Sequence, residues 1–155
     1  MAADTMKSLD SIGSGILPDQ GIDSESATDI DLGIDLGTTR TVVARADRGN
    51  YPVISFNDEH GDEHDFIPSL TALHEGALVH GFAARQAAHQ GAPLLRSLKR
   101  VLASPTLTAA TPVRLGDQTF SVLEVLTSYL RHLKSELADR GIDITRARVV
   151  VAVPA

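Results

Sequence analysis

The residues best suited to chemistry lie in one short run, Leu32-Gly33-Ile34-Asp35-Leu36-Gly37-Thr38-Thr39-Arg40-Thr41-Val42-Val43-Ala44. A carboxylate precedes a glycine and two hydroxyl residues there, which is the set a phosphate-binding turn needs. Gly37 can take φ > 0 and let the backbone approach a ligand closely. The amides of Thr38 and Thr39 can point together as an anion nest, with two hydroxyls as further donors. Asp35 would then stand beside the phosphates, where a carboxylate helps to hold the water shell of Mg²⁺, an ion that dehydrates reluctantly. The same residues also suit an ordinary hairpin with Gly-Thr-Thr at its turn.

Such a turn must be carried by two strands. Ile34 and Leu36 alternate with Gly33, Asp35 and Gly37, so a period of two puts the acid on the face opposite the aliphatics. Tyr51-Pro52-Val53-Ile54-Ser55-Phe56 reads as a third strand of the meander, with Pro52 near its start, where a missing N–H is tolerated. Ala77–Gly81 is a short strand, and Phe82–His89 fits a helix closed by Gly91. Pro93–Ala103 is expected as a second helix, Pro93 at its first position and Leu94, Leu95, Leu98, Val101 and Leu102 as its buried stripe. Thr111–Leu115 and Gln118–Phe120 flank a Gly116-Asp117 turn of type I′. Ser121 and Glu124 then form a capping box. Val122, Leu126, Tyr129, Leu130, Leu133 and Leu137 recur at helical spacing and are read as core. Arg146–Val153 holds five consecutive apolar residues, the mark of a strand covered on both faces beside a parallel neighbour.

Gly33-Ile34-Asp35-Leu36-Gly37-Thr38-Thr39 resembles the first phosphate loop of the actin-like ATPase superfamily. Pro68-Ser69 before Leu70-Thr71-Ala72-Leu73 is similar to a strand of the 70-kilodalton heat-shock (DnaK-type) chaperones and bacterial actins, and sugar kinases lack it at this spacing. Leu98-Lys99-Arg100 resembles the chaperone segment that carries the catalytic lysine. The helix from Glu124 and the strand ending Val153-Pro154-Ala155 follow in family order, so the likeness to the DnaK-type chaperones runs from Ile30 to the last residue. It departs at Phe66-Ile67, where threonines are usual, and at Arg40, where Tyr or Asn is common.

The resemblance implies an α/β fold: an incomplete actin-like ATPase (ribonuclease-H-like) lobe over 29–155, with an inserted α/β subdomain at about 68–145. It implies an ATP-binding portion of a chaperone that folds proteins at the expense of ATP, with ATP or ADP and Mg²⁺ as ligands. Gly37, Thr38, Thr39 and Arg40 would contact the phosphates, Asp35 would hold Mg²⁺ through water, and Lys99 would be catalytic, a compact charge near the γ-phosphate. Arg40 serves equally as an outward-facing strand residue. The family's second phosphate loop, further acids near Mg²⁺ and second lobe would follow Ala155, so a truncated chain is expected. Unfolded polypeptide and co-chaperones would engage those absent regions. The alternatives are a non-catalytic half-lobe acting as an interaction module or remnant, and, less favoured, an actin-like or sugar-kinase relative. Self-association through the strand at 149–153 is expected in either case.

Composition and charge narrow the classes further. A chain of 155 residues, 43% hydrophobic, suits one domain, and with no cysteine there is neither a disulfide framework nor a thiolate metal site. No apolar run approaches the ~20 residues that span a bilayer and no secretory signal is visible, so no membrane partner and a cytoplasmic location are expected. Of the net charge of −6, all resides in residues 1–31, where seven acids face Lys7; positions 32–155 balance thirteen acids with thirteen bases. Residues 1–28 therefore read as a disordered acidic leader, and the neutral remainder carries no nucleic-acid footprint. His60 and His64 lie in an acidic loop, Asn57–Asp65, read as a solvated tip rather than a metal site, because Gly61 argues for a turn.

Overall fold

The structure, a computed structural model, describes residues 30–152; the leader and the final residues 153–155 lie outside the described residues. β1 (Ile30–Leu36) buries Leu32, Ile34 and Leu36 and exposes Gly33 and Asp35. β2 (Arg40–Arg45) returns antiparallel with Leu36 opposite Thr41 and Asp35 opposite Val42, so residues 37–39 form the connecting loop. β3 (Phe56–Asn57) and β4 (Glu63–His64) make a small hairpin, followed by β5 (Ile67–Pro68) and by β6 (Thr71–His74) with β7 (Ala77–His80). Helix α1 (Gly81–His89), β8 (Leu94–Leu95) and helix α2 (Leu98–Leu102) come next. The hairpin β9 (Pro112–Leu115) and β10 (Gln118–Ser121) leads into α3 (Val122–Ala138), and a 3₁₀ turn, Ile144–Arg146, precedes β11 (Ala147–Ala152).

The largest sheet has the order β11-β1-β2-β5, with β11 parallel to β1 and Leu32 opposite Val149. Its buried face packs on α3: Leu32, Val43, Phe56 and Ile67 share one apolar cluster with Val125, Tyr129, Leu133 and Leu137. The end of α3 is tied down by Arg140, whose guanidinium lies 4.7 Å from the Phe56 ring centroid and donates to the Ser55 carbonyl at 2.6 Å. The architecture is mixed α/β, and no helix among the described residues is long and apolar enough to cross a membrane.

Several expectations need correction. Residues 51–55 are not a regular strand: Val53 makes an isolated bridge to Ala44, and only Phe56–Asn57 is strand, pairing forward with β4. Pro52 has no N–H to donate, and its carbonyl accepts from Arg45 at 3.0 Å. The helix expected over Pro93–Ala103 is half strand, because Leu94 and Leu95 pair with Ala72 and Thr71 and the helix starts only after Ser97. In the Gly116-Asp117 turn only Gly116 has positive φ, the type II′ pattern rather than I′. Finally, β11 is parallel to β1 but not covered on both faces by the described residues: Val150 is 66% exposed and Val151 41%.

The acidic loop is more than a solvated tip. Asp58, its side chain only 5% exposed, accepts from the amides of His60 and Asp62, from His64 Nε2 at 3.1 Å and from Arg85 at 3.2 Å. The His64 hydrogen bond, helped by these amides, holds the Asp58 carboxyl at about 2.

Candidate functional site

The loop between β1 and β2 folds back tightly. A Cβ on Gly37 would collide with the Arg40 carbonyl oxygen, and Gly37 is not among the residues with positive φ. Glycine is therefore required by the close approach of backbone, not by the left-handed conformation expected from the sequence. Thr38 and Thr39 are exposed at the loop tip, and the Thr39 carbonyl accepts from the Ser69 amide at 3.0 Å, which ties the loop to the chain beyond β5.

Beneath the loop lies a buried hydroxyl chain. Thr41, inward-facing on β2, has its Oγ1 2.6 Å from the Tyr129 hydroxyl and 3.0 Å from Ser69 Oγ. Burial pushes the Tyr129 phenol up, so the hydroxyl stays protonated and fit to donate. Leu36, Gly37, Thr41, Ser69, Tyr129 and Lys99 line a cavity of about 10 Å³, together with Leu98 and Leu102. That is room for about one water. Lys99, in the short helix α2, is thus brought beside Gly37 across 62 positions of sequence.

Not every anticipated residue joins this cavity. Asp35 is exposed on the face of β1 opposite Leu36 and does not line it. Arg40 is engaged elsewhere: its guanidinium carbon sits 5.3 Å from the Phe66 ring centroid, a cation–π contact. Thr38 and Thr39 line a neighbouring groove with Arg96 and Arg100.

A second buried polar cluster adjoins the first. His80 Nδ1 lies 3.0 Å from Thr71 Oγ1 and Nε2 2.7 Å from Ser128 Oγ, and the His80 ring meets Tyr129 edge-on. Burial, with His132 nearby, pushes the His80 imidazole down to about 4. Burial also lowers His132, against the pull of Glu136. Sequence periodicity placed Tyr129 in the core, where it lies, but did not reveal its hydroxyl contact with Thr41, the Thr41–Ser69 contact or the buried His80. The available signal was polar: a threonine at an inward position of β2, and a tyrosine in an aliphatic stripe whose hydroxyl needs a partner.

No family model matches the chain. Two curated proteins are similar to it: the chaperone protein DnaK of Mycoplasmopsis agalactiae, 27% identical over 129 residues, and that of Mycoplasmopsis pulmonis, 28% identical over 130. The likeness is to Hsp70-type chaperones. Each match covers 83% of this chain and 20% of the relative, so the chain spans about a fifth of the length of the DnaK proteins it matches. This is consistent with an Hsp70-type relationship.

Proposed function

We propose that the chain supplies the phosphate-holding part of an Hsp70-type ATPase, an actin-like lobe with residues of about 68–145 as an inserted subdomain. The observation that carries this reading is the meeting of Gly37 and Lys99 at one small cavity. Thr38 and Thr39 offer amides and hydroxyls to phosphate oxygens from a loop that only glycine at position 37 allows. Lys99 holds a positive charge where transferred phosphoryl charge would develop, and its neighbours Thr41 and Tyr129 fix the floor beneath it. Asp35 is a lone exposed carboxylate at this end of β1, a donor set suited to a hydrated Mg²⁺ rather than to direct ligation. When bound, Mg²⁺ neutralises charge on the phosphates. Chaperone action on unfolded polypeptide, and any co-chaperone contact, belongs on this reading to the length of the DnaK relatives that the chain does not match.

Amide NMR during titration with ATP and Mg²⁺ tests the reading. Phosphate contacts from one loop leave few ordered groups to offset the cost of association. Affinity near roughly millimolar, about −4 kcal/mol, is expected, with shifts at Gly37, Thr38 and Thr39 that shrink in Asp35→Asn when Mg²⁺ is present. Shifts confined to other parts of the chain would overturn it. A second reading, a non-catalytic interaction module, is favoured by one observation: the exposed valines of β11 on an edge of the main sheet.

A further inference from the structure

We infer that Arg96 and Arg100, which line one groove with Thr38 and Thr39, form a binding site for a phosphate-class anion. The groove holds about 480 Å³, has Leu94 and Leu95 among its walls and is lined by no carboxylate. Both guanidinium groups are exposed, and among the described residues neither makes a side-chain hydrogen bond or ion pair. Several other arginines are engaged, Arg85 with Asp58, Arg140 with Glu136, Arg148 with Asp31 and Arg40 with Phe66, and what sets Arg96 and Arg100 apart is that they line one groove together.

The surrounding charge points the same way. Between Glu75 and Asp117 the sequence contains Arg85, Arg96, Lys99, Arg100 and Arg114 and not one acid, in a chain whose net charge is −6. At the groove itself an anion meets Arg96 and Arg100, with Lys99 in the adjoining cavity and no lining carboxylate competing for it.

Spacing is fixed in advance. Ser97, buried between the two arginines, accepts from the Arg100 amide at 3.2 Å, so the extended residues before α2 and the first turn of α2 hold one geometry. Lys99, one position from Arg100, emerges about 100° around the helix and lines the separate cavity below the loop. The loop tip is thus flanked by two cationic environments. Guanidinium forks and threonine hydroxyls are the donors that suit tetrahedral phosphate oxygens. The phosphate can be the end of a polyphosphate chain held on the loop or a separate anion, and the inference does not rest on the nucleotide reading.

Titration of the chain with sodium pyrophosphate at low salt, followed by ¹⁵N NMR, tests this. Saturable shifts are expected at the Thr38 and Thr39 amides and at the Arg96 and Arg100 Nε–H groups. The double variant Arg96→Gln/Arg100→Gln should weaken pyrophosphate at least about tenfold, since charged hydrogen bonds are lost, while Arg114→Gln, a cation of the same acid-free stretch, should change it less than about twofold. Absence of saturable shifts at Thr38 and Thr39, or equal weakening by Arg114→Gln, would overturn the site. Adding ATP to the pyrophosphate-saturated chain then distinguishes the sources: displacement identifies the nucleotide's own phosphates as occupant, and simultaneous binding identifies a separate anion, the arginine pair being the contact in both. A chain that binds pyrophosphate here and shows no response to ATP would refute the nucleotide reading while leaving this site intact.

Discussion

At Gly37 the penalty for one methyl group is set by backbone, because the obstructing atom is the Arg40 carbonyl oxygen and cannot rotate away. Gly37→Ala should destabilise the chain by about 1–3 kcal/mol in urea unfolding, the range for overpacking. Gly33→Ala, whose Cβ would meet nothing within 4 Å, should lie within about 0.5 kcal/mol of the parent. A Gly37→Ala protein as stable as Gly33→Ala would remove the close-approach explanation. The sequence marked Gly37 as special but for positive φ, since spacing reveals that a glycine is needed and not which atom excludes a side chain. Tyr129 illustrates the opposite failure: its ring fits the apolar stripe, and its hydroxyl, bonded to a threonine 88 positions away, is invisible to periodicity. Tyr129→Phe should cost about 0.5–1.5 kcal/mol, and it should broaden the Thr38 and Thr39 amide signals if the hydroxyl chain steadies the loop.

His80 gives the fold an acid limit. Its neutral form is favoured by burial among Thr71, Ser128, Tyr129 and His132, with a folded value of about 4 against an ordinary 6.5. The unfolded chain binds the extra proton first as pH falls. Stability is therefore complete above about 6.5 and should decline progressively to about pH 4, by at most on the order of 3 kcal/mol, after which this group contributes nothing further. His80→Gln should flatten that window in urea titrations at stepped pH. Asp58 acts lower, its contribution being lost as pH falls from 3.8 through about 2, so the two can be told apart. A stability profile flat between pH 6.5 and 4 in the parent would contradict the buried-imidazole account.

Among elements, α3 was the most legible. Ser121 accepts from the Glu124 amide at 3.2 Å while the Glu124 carboxylate accepts from the Ser121 amide at 2.7 Å, and the apolar stripe begins at once. Both signals are local. Ser121→Ala should lower the unfolding free energy by about 0.5–2 kcal/mol, as a lost N-cap does, and an unchanged urea midpoint would show that the box contributes nothing here. The segment 93–103 departs from the helix its spacing predicts for a physical reason. Its leucines satisfy helical spacing, but Leu94 and Leu95 find a better use as a ladder partner for β6, a non-local pairing that spacing cannot announce. On a continuous helix Arg96 and Arg100 would simply form the solvated face, so spacing does not single them out.

At the scale of the whole molecule, the parallel pairing of β11 with β1 is readable from the run of valines, and the β1–β2 hairpin from its alternation. Coverage of β11 is not, because that depends on what packs against it. Val149, Val150 and Val151 are exposed, and β11 occupies an edge of its sheet. Concentration-dependent self-association is expected in sedimentation velocity, and Val150→Lys should suppress it by placing a charge on the open strand. A parent chain that stays monomeric across the concentration range would dispose of the sticky-edge account.

The register of the main sheet also sets a timetable. Asp31 and Arg148, joined by a bidentate pair at 2.8 and 2.6 Å, stand 117 positions apart. During synthesis at about 5–20 residues per second, β1 would be made roughly 6–23 seconds before its parallel neighbour leaves the ribosome. Throughout that interval the nascent β1 has a hairpin partner on one side and an unfilled lane of N–H and C=O groups on the other. The central strand of this sheet is thus translated well before the neighbour that encloses it, and for that interval its open side can pair with any other extended chain.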